Sequence, residues 1–176
     1  MSESYDWDNF DSCMMAVKEN GYLLQFVKEQ TEEICLEAIK QCGWALQYVR
    51  KQTELMCLIA VRQNGRILYY VKEQTYNICL EAVKQNGWAI QYVKDQTPEL
   101  CLLVVKQNGM IVKFVRKQTE EICIKAVQQN GNSLKRVKEQ TYNICLEAIK
   151  QNKDVIRLVD KDEFPEIYDM WRLIYE

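Results

Sequence analysis

The chain has 176 residues, of which 48% are apolar and 27% are charged, a composition typical of a folded globular protein. Its net charge of −2 gives no overall basic field that would recruit nucleic acid or an anionic membrane. The sequence contains no histidine, which excludes His-dependent triads, His general bases and His metal ligands. No apolar stretch approaches the roughly 18 residues of a membrane span, and the acidic start lacks the basic and apolar regions of a secretory signal.

A 22-residue period dominates the sequence after an acidic segment, residues 1–8, that we expect to be mobile. A fixed period of roughly 20–50 residues indicates a stacked-repeat architecture. This interval separates seven successive cysteines (Cys13, Cys35, Cys57, Cys79, Cys101, Cys123, Cys145). It also separates all six glycines (Gly21, Gly43, Gly65, Gly87, Gly109, Gly131). We number the repeats in chain order, from repeat 1 (9–30), repeat 2 (31–52), repeat 3 (53–74) and repeat 4 (75–96) to repeat 5 (97–118), repeat 6 (119–140) and repeat 7 (141–162).

Each repeat predicts two short helices. In repeat 5, Thr97 suits the N-cap and Pro98 the first helical position. Apolar residues on one face predict a helix of about 11 residues, and we expect Gly109 to end it in the left-handed conformation. A second helix of about seven residues follows, with Val112 and Val115 on its apolar face. Because such short helices are marginal alone, the sequence predicts an all-α solenoid whose repeats bury their apolar faces on one another.

A second period of 44 residues is superimposed on the first. Two residues after successive glycines, large and small side chains alternate, as in Ala45, Ile67 and Ala89. Large-against-small packing between neighbours explains such an alternation. We therefore predict a 44-residue super-repeat in which alternate repeats have different environments.

The end of the array differs from its middle, as expected for a cap. Repeat 7, the last of the array over residues 9–162, has Lys153 in place of the glycine. Residues 163–176 are expected to form a C-terminal capping helix over the last open face of the core. Its predicted buried face consists of Ile167, Met170, Trp171 and Ile174.

The cysteines are expected to pack in the core. Seven lie on the apolar face of the longer helix, where a free cysteine behaves as a small core residue. Equivalent residues of stacked repeats are about 10 Å apart, too far for a disulfide. Cys42 lies outside this column, and the chain has neither a C-x-x-C motif nor a histidine to form a zinc site. We expect no bound metal, reduced thiols and a cytoplasmic location.

Two columns of cations are candidates for binding nucleic acid. If each column forms a ladder, the phosphates of a single strand can follow it. The structural alternative is that cations in the last turn of a helix favour its dipole, and that glutamates three residues earlier, such as Glu37 and Glu81, neutralise the first column. The first column is Lys18, Lys40, Arg62, Lys84 and Lys106, and the second is Lys28, Arg50, Lys72, Lys94, Arg116 and Lys138.

Variable positions in a nearly constant repeat are the best candidates for contact with a protein. An aromatic column from Phe26 to Phe114 is expected to pack between neighbouring short helices. Two glutamine columns, which begin at Gln30 and Gln41, are expected to satisfy backbone groups at helix ends. The residue after each glycine varies in size and polarity, as does the first residue of the longer helix. These candidates are Tyr22, Trp44, Arg66, Trp88 and Met110 in the former column, and Glu32, Glu54 and Tyr76 in the latter.

Catalysis has little support in the sequence. The four serines have no histidine to activate them, and neither a Walker loop nor a dinucleotide-binding fingerprint is present. We expect no catalytic residues, no cofactor and no small-molecule substrate.

One segment resembles a known family. The string CLEAVKQNGWAIQYVK, Cys79 to Lys94, is similar to the short helical repeats of an uncharacterised domain family that is abundant in mimivirus-like giant viruses and also occurs in some intracellular bacteria. The resemblance covers residues 9–162 and rests on the QNG-x-A-hydrophobic-x-Y/F-V motif. It implies helical repeats and a viral origin. It implies no catalytic residues, because the family has no established activity.

These observations favour a non-enzymatic scaffold that binds a protein through one face of the solenoid, since solenoids present extended surfaces. The alternative is sequence-tolerant binding of single-stranded nucleic acid along the cation columns, with an affinity that falls steeply with salt. A third interpretation is a virion or inclusion protein built by end-to-end stacking. The acidic start and Lys153 argue against it.

Overall fold

The computed structural model describes residues 5–175, which form eight α-helices and seven 3-10 helices and no strand. The α-helices are α1 (Phe10–Glu19), α2 (Glu32–Gln41), α3 (Glu54–Gln63), α4 (Tyr76–Gln85), α5 (Pro98–Gln107), α6 (Glu120–Gln129), α7 (Tyr142–Gln151) and α8 (Pro165–Tyr175). The 3-10 helices are η1 (Gly21–Phe26), η2 (Gly43–Tyr48), η3 (Gly65–Tyr70), η4 (Gly87–Tyr92), η5 (Gly109–Phe114), η6 (Gly131–Arg136) and η7 (Lys153–Leu158). The predicted all-α solenoid of repeated helical hairpins is confirmed. None of the helices in this range has the length and apolar character needed to cross a membrane.

The α-helix of each repeat begins where the sequence predicts. Thr97 accepts a hydrogen bond from the Leu100 N–H at 3.4 Å, and Pro98 occupies the first turn of α5. Asn9 replaces the threonine in repeat 1 and accepts from Ser12 N–H at 3.0 Å. Such an N-cap stabilises a helix by about 1 kcal/mol, which explains the strict threonine period. Each repeat helix has 10 residues, close to the predicted length.

The second helix of each repeat is a six-residue 3-10 helix rather than a longer α-helix. It is capped by an asparagine in every repeat except repeat 2, which has Cys42 at this position; in repeat 5, for example, Asn108 accepts from Met110 N–H at 3.0 Å. No residue in 5–175 has a positive φ, so the left-handed conformation expected at Gly109 is wrong. The glycine is required by close packing instead, because a Cβ at Gly109 would overlap the carbonyl oxygen of Ala126 in the next repeat.

The chain divides into two compact units, which we call the N-terminal half (to Lys94) and the C-terminal half (from Asp95) and describe separately. Within each half, the α-helices of successive repeats pack on one another, and so do the 3-10 helices. The core is formed between these two layers. In repeat 3, Cys57, Ala60 and Val61 are buried on the inner face of α3. The predicted role of the cysteine column in core packing is confirmed.

The N-terminal half shows the predicted 44-residue alternation. Helix α2 lies closer to α1 than to α3, and η2 lies closer to η1 than to η3. The side chain at the boundary is consistent with the difference, since the large Ile67 of repeat 3 reaches Gly43 of repeat 2, whereas repeat 2 has the small Ala45 at the equivalent position. In the C-terminal half α6 lies close to both α5 and α7, so the alternation of the α-helices does not continue there.

Two glutamine columns connect successive repeats through backbone hydrogen bonds. The Gln52 amide donates to the carbonyls of Leu46 at 3.2 Å and Tyr70 at 2.9 Å. Its Oε1 accepts from the Lys72 N–H at 3.0 Å. In the other column, the Gln129 Oε1 accepts from the N–H of Gly109 at 2.7 Å. The prediction that these amides satisfy backbone groups at helix ends is confirmed.

Residues 5–9 cover the exposed end of repeat 1. The Lys28 ammonium pairs with Asp8 at 2.8 Å. The Trp7 ring lies 5.5 Å from the Phe26 ring, and the Tyr5 hydroxyl donates to Glu19. The rest of the acidic segment, residues 1–4, lies outside the described residues.

Helix α8 covers repeat 7 with its first turns. Ile167 is fully buried, the Tyr168 hydroxyl donates to the Ile156 carbonyl at 2.9 Å, and Trp171 Nε1 donates to the Lys153 carbonyl at 3.0 Å. Met170 is half-buried. The expectation that Ile174 joins this face is wrong, since it is 61% exposed: only the first turns of the helix lie over the core.

Candidate functional site

The residues predicted to bind a protein lie at opposite ends of the α-helices. Glu54 is the first residue of α3, and Arg66 follows the end of the same helix, so about 15 Å of helix separates them. The end where the 3-10 helices begin is here called the turn edge, and the end where the α-helices begin the link edge. The turn edge carries Tyr22, Trp44, Arg66, Trp88 and Met110, and the link edge carries Glu32, Glu54 and Tyr76. The two groups do not form one compact site.

A row of aromatic rings runs along the 3-10 helices of the N-terminal half. This aromatic ribbon consists of Tyr22, Phe26, Trp44, Tyr48, Tyr69, Tyr70, Trp88 and Tyr92. None of its members is buried. Tyr69 is the most accessible, with 66% of its surface exposed, and Tyr22 and Trp88 are each 39% exposed. Exposed aromatic side chains in a contiguous row are typical of interaction surfaces.

The rings of the ribbon are held by contacts between repeats. Trp44 lies 6.0 Å from Tyr70 of the next repeat, with an interplanar angle of 81°. Tyr69 lies 5.0 Å from Tyr70 and 5.5 Å from Tyr92, again edge to face. Each such pair adds about 0.5–1.5 kcal/mol to the burial of the rings. These contacts fix the positions of neighbouring rings relative to one another.

A cleft at the turn edge is lined both by Trp88 of the ribbon and by the positively charged Arg66. Arg66, Asn86, Trp88 and Gln91 line this cleft, which has a volume of about 280 Å³. Arg66 is exposed, and no carboxylate within residues 5–175 forms an ion pair with it. A guanidinium, an indole and two amides together suit an anionic group that also carries apolar surface.

The second cation column lies at the link edge, beyond the 3-10 helices, rather than in a last helical turn. Arg50 donates to the Lys28 carbonyl at 2.5 Å, and Lys72 donates to the Arg50 carbonyl at 2.8 Å. Lys94 and Lys138 make the equivalent bonds, to Lys72 and Arg116. Each of these cations thus caps the backbone of the preceding repeat.

The first cation column is largely paired with carboxylates. Lys40 lies 3.6 Å from Glu37 and Lys84 lies 3.7 Å from Glu81, and Lys150, at the equivalent position of repeat 7, lies 2.6 Å from Glu147. These are the (i, i+3) pairs that the sequence predicts, and they are confirmed. The hydrogen bond from Arg62 holds the pKa of Glu81 below its ordinary value. Lys18 and Lys106 are exposed in the last turns of α1 and α5.

The link edge contains two clefts of about 330 and 410 Å³ that share Arg50, Lys51 and Thr53. Their walls include Glu32 and Glu54, the latter accepting a hydrogen bond from the Thr75 hydroxyl at 2.9 Å. Neither Glu has a partner geometry typical of a catalytic base. Tyr76 is 49% exposed at the same edge.

The cysteines that border these clefts have low nucleophilic reactivity. Burial raises the pKa of Cys35 and Cys57 to about 11, so both remain thiols at neutral pH. The Cys57 thiol also donates to Gln52 Oε1 at 3.7 Å. A protonated, buried thiol is a poor nucleophile and a poor metal ligand. In residues 5–175, no three Cys, Asp or Glu side chains are arranged to hold a metal ion.

The aromatic character of this surface is concentrated in the N-terminal half, and Phe114 of η5 is the last ring of the column that begins at Phe26. In the C-terminal half Met110 is half-buried, and the outward positions of η5, η6 and η7 carry four cations among apolar, amide and acidic residues. The cations there are Lys113, Lys135, Arg136 and Arg157.

Sequence reasoning missed Tyr69, the most exposed ring of the ribbon. The equivalent position of every other repeat is a glutamine or a cation, as at Gln47 and Gln91. The single aromatic residue at this position was the sequence feature that could have identified it. The neighbouring aromatic column, predicted to pack, does make ring contacts between repeats. It also leaves Phe26 52% exposed and forms part of the same ribbon.

Comparison with known proteins supports the repeat assignment and leaves the function open. The model of a family described as a domain of unknown function (DUF4116) matches residues 9–55, 31–76, 53–96 and 97–142. The first three matches begin 22 residues apart, and each match spans about two repeats. No curated protein and no solved structure matches the chain.

Proposed function

The chain belongs to the DUF4116 family, and from this premise we propose that it is a non-enzymatic scaffold that binds a protein through the aromatic ribbon of its N-terminal half. The observation that carries the proposal is the row of exposed and half-buried rings on η1 to η4, which contact one another between repeats. Buried Trp and Tyr side chains dominate the energy of many protein interfaces. Arg66 beside Trp88 extends the surface with a group that is equally common in such interfaces.

The size and order of the ribbon support this function. A Tyr or Trp side chain buries about 150–250 Å² when fully covered. Eight partly exposed rings therefore offer on the order of 500 Å², which is most of the roughly 800 Å² that one partner contributes to a standard interface. Because neighbouring rings already fix one another, binding costs less side-chain entropy than at a flexible surface.

A non-enzymatic role also agrees with the chemistry of the clefts. The thiols that border them have raised pKa values, and the adjacent cations are engaged with backbone carbonyls. Acid–base or nucleophilic catalysis needs an activated group near a substrate site. Beside the carboxylates of Glu32 and Glu54, these clefts offer glutamine amides and protonated thiols.

Binding of nucleic acid along the cation columns has weaker support. Four members of the second column donate to backbone carbonyls (Arg50, Lys72, Lys94, Lys138) and Lys28 pairs with Asp8. Cations held in this way are less able to pair with the successive phosphates of a strand. Such pairs supply a large share of the affinity of proteins for nucleic acid.

The proposal is tested by affinity capture from a lysate of the cells that make the protein, with and without nuclease. The test variant combines Tyr69→Ser and Trp88→Ser, and the control is Tyr142→Ser, a tyrosine 43% exposed at the link edge. We expect the double variant to lose at least tenfold of a nuclease-resistant protein that the control retains. Equal capture by both, or loss of every captured protein after nuclease, would overturn the proposal. A loss with Tyr76→Ser instead would place the binding surface at the link edge.

A further inference from the structure

We infer that the segment bound by the aromatic ribbon is an acidic, proline-rich strand in the polyproline II conformation, lying along η1 to η4. The inference rests on the proposed function and specifies the chemistry of the partner. It depends on three properties of the ribbon: its spacing, its hydrogen-bond donors and its charge.

The spacing of the ribbon matches a polyproline II helix. Packed helices are usually about 10 Å apart, so we expect equivalent rings of stacked repeats at about this spacing. The rings of Tyr70 and Tyr92 are compatible with this spacing, because their distances of 5.0 and 5.5 Å from the Tyr69 ring set an upper limit on their separation. A polyproline II helix has three residues per turn and rises about 9.3 Å per turn. Every third residue of such a strand therefore meets an equivalent ring of the next repeat.

An extended β-strand does not have this match. Its side chains alternate between two faces, so every third residue faces away from the ribbon. An α-helix returns to the same face after seven residues and about 10.5 Å, but its carbonyls are already hydrogen-bonded within the helix. The spacing alone leaves the α-helix as an alternative, and the donors of the ribbon separate the two.

The ribbon presents hydrogen-bond donors next to its rings. The Gln47 amide donates one hydrogen to the Trp44 carbonyl at 3.1 Å, and the Gln91 amide does the same to the Trp88 carbonyl at 3.0 Å. Each amide has a second N–H. A polyproline II strand has no internal hydrogen bonds, so its carbonyls can accept these bonds while its proline rings pack on the aromatic faces, the mode in which aromatic grooves recognise such strands.

The charge of the ribbon favours an acidic strand. The outward positions of η1 to η4 are eight rings, three glutamines and a single charged residue, Arg66; none is a carboxylate. The cleft of about 280 Å³ that Arg66 forms with Trp88 can take a Glu or Asp side chain. A nucleic-acid strand would need a cation near each phosphate, and one cation in twelve positions does not supply them.

The inference is tested with the full-length chain and defined synthetic peptides. The probe is fluorescently labelled acetyl-(Pro-Pro-Glu)4-amide, whose twelve residues extend about 37 Å and so reach across four repeats. Acetyl-(Gly-Ser-Glu)4-amide keeps the length and charge without the preformed helix, and acetyl-(Pro-Pro-Lys)4-amide keeps the helix and reverses the charge. Fluorescence anisotropy is expected to give at least tenfold tighter binding of the first peptide than of either control.

Variants of the chain connect this binding to the ribbon. Trp88→Ser is expected to weaken binding of the (Pro-Pro-Glu)4 probe at least tenfold and Arg66→Gln at least threefold, whereas Tyr142→Ser leaves it unchanged. Far-UV circular dichroism checks that each variant remains folded. A threefold loss with Arg66→Gln for the Glu peptide and none for the Lys peptide would show that Arg66 reads the carboxylate.

Several outcomes would overturn the inference. These are equal affinity for the Pro-Pro-Glu and Gly-Ser-Glu peptides, equal loss with Tyr142→Ser, or tighter binding of a twelve-nucleotide poly-dT strand or of a helical acidic peptide. If the ribbon variants lose the captured protein but the proline peptide does not bind, the scaffold function stands and this inference fails. If capture is unaffected by those variants, the proposed function itself fails.

Discussion

Replacing Gly109 with alanine tests the packing that holds successive repeats together. The new Cβ would overlap the carbonyl oxygen of Ala126 and would lie 2.6 Å from Ser133 Oγ. Overpacking of this kind costs about 1–3 kcal/mol. Displacing the backbone also weakens the 2.7 Å bond from Gly109 N–H to Gln129, worth about 1 kcal/mol. Alanine also lowers the conformational entropy of the unfolded chain, which offsets about 0.4–1 kcal/mol of this loss of stability.

The expected result for Gly109→Ala is a loss of about 2–3 kcal/mol in the free energy of unfolding. A chain of this size then melts about 5–10 °C lower, measured by circular dichroism with urea unfolding for comparison. Gly43→Ala is the matched control, because its Cβ meets the side-chain ends of Gln63 and Ile67 at 2.9 Å and a backbone oxygen, that of Ala60, only at 3.1 Å, and we expect a smaller loss of about 1 kcal/mol. Gly109→Asn should be no milder than alanine. Wild-type stability of Gly109→Ala, or rescue by asparagine, would refute the close-packing argument.

Three further predictions follow from buried polar groups. Ser133→Ala should raise the free energy of unfolding by about 1 kcal/mol, because the buried Ser133 Oγ has no hydrogen-bond partner in residues 5–175. Gln52→Ala should lower it by about 2–3 kcal/mol, because bonds to Leu46, Tyr70 and Lys72 are lost together; both are measured by urea unfolding. Stability should also fall as the pH rises from about 9 to about 11. Burial raises the pKa of several thiols from 9.0 to about 11, so the unfolded chain releases these protons first (Cys35, Cys57, Cys123, Cys145).

The Gln52 and pH predictions each have a matched control. Gln25→Ala, at an exposed glutamine of η1, should change stability by less than about 0.5 kcal/mol. A Cys57→Ala variant should lose less stability between pH 8 and pH 11 than the wild type, since one raised thiol is absent. A destabilised Ser133→Ala, a neutral Gln52→Ala, or identical pH profiles for wild type and Cys57→Ala would each contradict the corresponding argument.

Local sequence rules predict the α-helix of each repeat well. Thr97 and Pro98 specify its start because an N-cap and a first-turn proline act within a few residues of one another. The cysteine column and the glutamine columns were also predicted correctly, since burial and satisfied backbone groups follow from helical periodicity and helix ends. The sequence period itself identifies the stacked architecture.

The features that sequence reasoning did not predict depend on contacts between repeats. Gly109 is required by the Ala126 carbonyl of the next repeat, which no local rule about helix ends reveals. The second cation column bonds to the preceding repeat, as Lys72 does to the Arg50 carbonyl, although its spacing also suits a helix C-terminus. Tyr69 becomes part of a site only because it touches the Tyr92 ring of repeat 4.

The most direct test of the account is photo-crosslinking from the ribbon itself. Benzoylphenylalanine is placed at Tyr69, which is 66% exposed, and in a separate chain at Tyr142, which is 43% exposed at the link edge. The account predicts that Tyr69 crosslinks to a discrete protein, that nuclease does not remove this product, and that Tyr142 gives none. Crosslinking of the same protein from Tyr142 alone, or recovery only of nuclease-sensitive products, would contradict the assignment of the aromatic ribbon as the binding surface.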